Sequence, residues 1–228
     1  VNNKPQAINR ITDFRCAPDY NPFTNGNTIG PLTGWGNYQW KIKTTSDSAQ
    51  FYFNQGINMY YAFHIIEARA SFAKVTELDP QCAIGWWALA LSFGPNINDF
   101  GYSAPPDALS AARKAESLSN FYTPKEKALI YSINTRYSED TSQSRENLNK
   151  AYAAAMKQAF KDLPNDADIA ALYADALMLL HPWDLWEHGG KPKPWTPQIQ
   201  QVLEQTLKLD PVHPGANHYY IHVVEGSP

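Results

Sequence analysis

Apolar positions along this chain recur at helical spacing, and three amphipathic stretches end on the same punctuation: Leu78-Asp79-Pro80, Leu163-Pro164 and Leu209-Asp210-Pro211. Counting back twelve, eight and five residues from each proline gives Ala68, Phe72 and Val75, then Tyr152, Met156 and Ala159, then Ile199, Leu203 and Thr206. Residues so spaced share one helical face. The proline stops each helix because it lacks an N–H and its ring crowds the preceding turn. Counting forward six, nine, ten and thirteen residues finds a second face: Trp86, Leu89, Ala90 and Phe93; Ala170, Tyr173, Ala174 and Leu177; Asn217, Tyr220, Ile221 and Val224. Only Asn217 breaks that pattern.

The pattern predicts helical hairpins. Residues 46–63 pair with 65–78, and Gly56 inside the first helix allows close helix approach. Residues 81–93 pair with 106–119 across a break at Gly94-Pro95-Asn96-Ile97-Asn98. Thr123-Pro124-Lys125-Glu126 is a helix start, with Thr as cap, Pro in the first turn and Glu completing a capping box. That helix pairs with residues 143–163. Residues 167–180 pair with 197–209 across a long insertion at 181–195, and a helix over 214–225 has no partner. An unpaired helix leaves an apolar face for further chain or another subunit to cover, so the chain reads as incomplete at its C-terminal end. Residues 1–45 show no helical period. They are rich in Asn, Thr, Gly and Pro with interspersed aromatics, and they read as an extended arm packed on a helical domain over 46–228.

This repeated frame resembles tetratricopeptide repeat proteins. Three phrases narrow the resemblance to large bacterial members of that group, often exported: Gly94-Pro95-Asn96-Ile97-Asn98, Pro182-Trp183-Asp184-Leu185-Trp186, and Asn217-His218-Tyr219-Tyr220-Ile221-His222-Val223-Val224-Glu225. The hairpins here exceed the usual repeat of about 34 residues, and two turns carry insertions. The resemblance implies an all-α fold: about four and a half hairpins in a right-handed α-α superhelix, preceded by the arm. It also implies that the first helix of each hairpin lines a concave groove. Tyr60, Tyr61, Trp87 and Tyr131 fall on those groove faces, with Asp175 beside them, and Lys127 is the basic residue the frame places there. With Trp183, Trp186 and Trp195, the rings could stack on a flat ligand or peptide, or pack beneath the arm.

The same frame places Gly215, His218, His222 and Glu225 on one face of the last helix. Two imidazoles one turn apart and a nearby carboxylate suit a divalent metal such as zinc, iron, copper or manganese, with His181 or Asp184 of the insertion as a further ligand. The trio also suits metal-free acid–base work or structural hydrogen bonding. The main reading requires no cofactor.

Composition narrows the partners. The net charge is −3 and no Lys/Arg cluster is present, which argues against nucleic acid. No apolar run approaches the roughly 20 residues of a membrane helix. Cys16 and Cys82 are too few for a disulfide scaffold, and either one bridge or two buried thiols fits. The resemblance, the start at Val1 and the Asn/Thr-rich arm favour a periplasmic or extracellular setting over the cytoplasm. The expected function is a non-catalytic interaction or scaffold module that binds a peptide or partner chain in an aromatic groove. Self-assembly through the C-terminal end is a further expectation, and a metal-binding protein or metalloenzyme is the alternative.

Overall fold

The computed structural model describes residues 29–99, 101–118 and 123–228. Nine helices and no strand occur among them: α1 (Asp47–Tyr61), α2 (Ile65–Leu78), α3 (Ala83–Ser92), α4 (Pro106–Ser117), α5 (Pro124–Asn134), α6 (Arg145–Asp162), α7 (Ala167–Met178), α8 (Thr196–Leu209) and α9 (Pro214–Val224). The fold is therefore all-α, as the periodicity predicts. Among the described residues no helix is long and apolar enough to cross a membrane.

Local chemistry sets the helix starts. Ser46, Ser144 and Asp166 each accept a backbone N–H from the first turn of α1, α6 and α7. Thr123 and Glu126 form the expected capping box at α5. Each such cap satisfies a donor that the helix itself cannot, at roughly 1 kcal/mol apiece. Each helix packs on the next along the chain. The nine residues counted back from the three prolines are all at most 3% exposed, so that face is core.

The expected open groove is where the structure differs. Tyr60, Tyr61, Trp87 and Asp175 are buried rather than lining an accessible channel. The cause is closure of the array: α1 packs not only on α2 but also on α3 and on the last helix, α9. The arm fills the remaining space. The Trp40 ring sits 5.6 Å from both Phe53 and Trp87, and Tyr38 lies 6.2 Å from Tyr61. The face assigned to a ligand is thus used by the chain's own aromatics.

Two glycines permit this closeness. A Cβ on Gly56 would lie 2.5 Å from the Phe72 ring, as the sequence suggests for the first hairpin. A Cβ on Gly215 would lie 2.5 Å from the Tyr61 ring, so this glycine lets α9 reach α1. Tyr61 is fully buried and cannot swing away, so Gly215→Ala should overpack the closure and lower stability by about 1–3 kcal/mol. Denaturant unfolding followed by circular dichroism checks this, with Gly30→Ala as a control where nothing lies within 4 Å of the added methyl.

Candidate functional site

The described part of the arm is held along α1 by side-chain amides. Gln50, Asn54 and Asn58 recur every four residues on one face of the helix. Gln50 Oε1 accepts from the N–H of Ile42 (3.0 Å), Asn54 Oδ1 from Trp40 (3.1 Å) and Asn58 Oδ1 from Tyr38 (3.2 Å). Gln50 Nε2 and Asn58 Nδ2 donate back to the carbonyls of Trp40 and Tyr38, each at 2.9 Å. Four helical residues rise about 6.0 Å and two extended residues about 6.6 Å, so alternate arm residues meet successive amides. Gln55 adds a separate contact, accepting from the Leu32 N–H (2.8 Å) and donating to the Gly30 carbonyl (3.3 Å). These bonds are to backbone, and Asn54 Nδ2 adds one to the Gln39 side chain (2.6 Å), so α1 reads mainly the main chain of an extended segment. Asn54, Gln55 and Asn58 are buried and Gln50 is half-buried, and all four amides are bonded.

Helical periodicity alone does not reveal this device. Its only trace was a run of amides at helical spacing beside an aperiodic arm.

Where the arm passes α9, a cleft of about 560 Å³ opens, lined by residues that include Trp35, Asn37, Gln39, Val212, Pro214 and His218. Beneath it lies a buried polar hub. Asp168, in the first turn of α7, accepts from the hydroxyls of Tyr38 (2.8 Å) and Tyr61 (2.9 Å). It also pairs with Lys125 Nζ at 2.6 Å and faces His213 Nε2 at 3.2 Å. His213 Nδ1 accepts the Ala216 N–H at the start of α9, so its Nε2 carries the proton given to Asp168. Lys125 also covers the Trp40 ring at 4.0 Å. The basic residue at the centre is therefore Lys125 of α5, whereas the exposed Lys127 lines an outer cleft with Tyr131.

A second buried carboxylate, Asp175, sits one turn and more along α7. It receives the Tyr60 hydroxyl and the field of Arg136, and its Oδ2 has no hydrogen-bond partner among the described residues.

The third cluster joins the three phrases singled out in the sequence. His218 Nδ1 lies 2.6 Å from the Tyr61 carbonyl, and His222 Nδ1 lies 3.2 Å from Glu225 Oε1. The two Nε2 atoms face each other at 3.0 Å. Phe63 stacks parallel to His222, with centroids 5.8 Å apart, and Trp183 meets the same ring edge-on at 5.2 Å. The Trp183 indole donates to Asn98 Oδ1 (3.1 Å), and Trp186 Nε1 donates to the Val223 carbonyl (2.7 Å). The insertion thus docks on the end of α9. Phe63 and Trp183, with φ of 60° and 58°, are the only non-glycine residues with positive φ among those described. Both touch His222, and strained backbone of this kind persists where surroundings over-determine it.

Not all expected ligands join this pair. His181 stacks on Trp195 at 3.8 Å, and Asp184 pairs with Lys193. Glu225 reaches Nδ1 of His222 and so orients that ring from behind. Among the described residues no three His, Cys, Asp or Glu side chains gather at metal-ligand spacing. Tyr131 is 66% exposed, in a cleft of about 400 Å³ with Pro124, Lys127 and Ala128. Cys82 is a buried free thiol, pushed up to about 11 by desolvation, and Cys16 lies outside the described residues. Compared with known proteins, no family model matches the chain and no curated sequence is similar to it.

The two α7 carboxylates respond to pH in opposite directions. Burial works against ionised Asp168, but hydrogen bonding from His213 and the charge of Lys125 outweigh it and hold the carboxyl at about 2. Its stabilising effect is full above the ordinary carboxylate value and is lost as pH falls through about 2, on the order of 2 kcal/mol in all. Asp168→Asn should lower stability at pH 7 by at least that amount and flatten its decline between pH 4 and 2, read by denaturant titrations at each pH. For Asp175, desolvation dominates and raises the carboxyl to about 6, with Arg136 and Tyr60 only partly opposing. Stability from this group is full below the ordinary value and is lost as pH rises through about 6. Asp175→Asn should therefore gain on the wild type between pH 4 and 7, by on the order of 3 kcal/mol, measured the same way.

Proposed function

We propose that the chain is a non-catalytic interaction module, a helical-hairpin array of the tetratricopeptide type, that holds an extended peptide or partner chain. The observation that carries this reading is the amide ladder of Gln50, Asn54 and Asn58 on the arm backbone. The array already binds an extended segment, its own, through main-chain hydrogen bonds. In such recognition the main chain supplies affinity and pockets for alternate side chains supply selectivity.

The binding surface in this reading is the cleft beside the arm rather than a concave aromatic groove. Arm residues 35, 37 and 39 alternate with those held by the ladder and line that cleft, with Trp35 also packed on Phe51 and Gln39 also bonded to Asn54 of α1. The opposite wall carries Val212, which is 80% exposed, and Ile221 on the outer face of α9 is 59% exposed. Apolar side chains so exposed suit contact with a partner. The volume of about 560 Å³ lies within the range of ligand clefts.

Selection of a displayed random-peptide library on the full chain tests the reading. Peptides should be enriched, and their binding should fall at least tenfold with Val212→Asp and with Trp35→Ala, while circular dichroism stays unchanged. No enrichment, or enriched peptides indifferent to both substitutions, would refute it.

A further inference from the structure

We propose that His218 and His222 form a two-histidine chelate for a late first-row divalent cation, copper(II) or zinc(II), through their Nε2 atoms. This does not rest on the peptide-binding reading.

Hydrogen bonding assigns the tautomers. A carbonyl oxygen only accepts, so at 2.6 Å from the Tyr61 carbonyl the Nδ1 of His218 is the protonated nitrogen. An ionised carboxylate likewise only accepts, so the Nδ1 of His222 donates to Glu225 at 3.2 Å. In the neutral rings both lone pairs then sit on Nε2, and those two atoms are 3.0 Å apart. Lone pairs facing at that distance repel unless a proton or a metal cation lies between them, and a pair of nitrogens that can share a proton can equally share a metal. Two nitrogens bonded at about 2.05 Å to a tetrahedral metal stand about 3.3 Å apart, a few tenths beyond the observed gap. The spacing of four residues on α9 aims both rings the same way.

The surroundings fit a metal ligand pair. A carbonyl or carboxylate behind a ligating imidazole fixes its tautomer and raises its basicity. Tyr61 and Glu225 occupy those positions, so Glu225 is a positioning residue rather than a ligand. Phe63 and Trp183, the two strained residues, wall His222 on its face and edge. Softness of imidazole and the affinity order of divalent ions favour copper and zinc over manganese or iron. Two protein ligands leave positions for water or a partner's side chain.

The test is calorimetric titration of the full chain with copper(II) chloride and, separately, zinc chloride. One equivalent should bind, and the copper(II) resonance spectrum should carry splitting from two equatorial imidazole nitrogens. His222→Ala and His218→Ala should each weaken binding at least 100-fold, and Glu225→Gln about tenfold with unchanged stoichiometry. His218 also holds the Tyr61 carbonyl, so His222→Ala decides the matter should His218→Ala fail to fold. No binding by the wild type at micromolar metal, or one equivalent retained by folded His222→Ala, would overturn the proposal.

Discussion

One carboxylate ties the two ends of this array together. Asp168 is held within bonding distance of the arm through Tyr38, of α1 through Tyr61, of α5 through Lys125 and of the entry to α9 through His213. Helical hairpins stacked in sequence make contacts mostly with near neighbours, and nothing in that rule brings the last helix back to the first. Here a buried ionic centre does so. A charge removed from water is tolerable only when its oxygens are well paired. Any displacement of α9 or of the arm would strip partners from Asp168. Closure, the burial of Tyr61 beneath the arm, and the placing of His218 against the carbonyl of Tyr61 all depend on that requirement.

The proline-anchored frame made the helices and their core faces readable in advance. Ala68, Phe72 and Val75, and their counterparts before the other two prolines, are buried where the period places them. The fate of the opposite face was not readable. Helical period assigns a direction to Tyr61 or Trp87, but it does not say whether water, a ligand or the chain's own arm lies in that direction. The deciding facts are long-range: a glycine at 215 that admits the Tyr61 ring, and an arm whose Trp40 reaches Trp87. The histidine spacing on α9 was legible, yet Glu225 turned out to face the back of His222. Three residues along a helix fix a shared side, not which ring nitrogen is met.

The distinctive phrases of the sequence make sense together rather than singly. The turn after α3 supplies Asn98, the long insertion supplies Trp183 and Trp186, and α9 supplies the paired histidines. Their contacts form one continuous patch. Each insertion lengthens a hairpin at some conformational cost, and two indoles of the longer one tie them down, Trp183 donating to Asn98 and Trp186 to the Val223 carbonyl. The patch adjoins the cleft through His218, so the two proposed binding surfaces share a border at a single residue.

The pairing of arm and helix behaves as a vernier. One scale advances about 6.0 Å per division and the other about 6.6 Å. Alignment is good over the two divisions between Gln50, Asn54 and Asn58, where the accumulated offset is only about 1 Å. Two further divisions would roughly double it, beyond the tolerance of a hydrogen bond. A straight helix can therefore grip only a short length of extended chain in this manner. The grip has a natural length of about five or six residues, set by two periodicities rather than by where any residue type happens to stop.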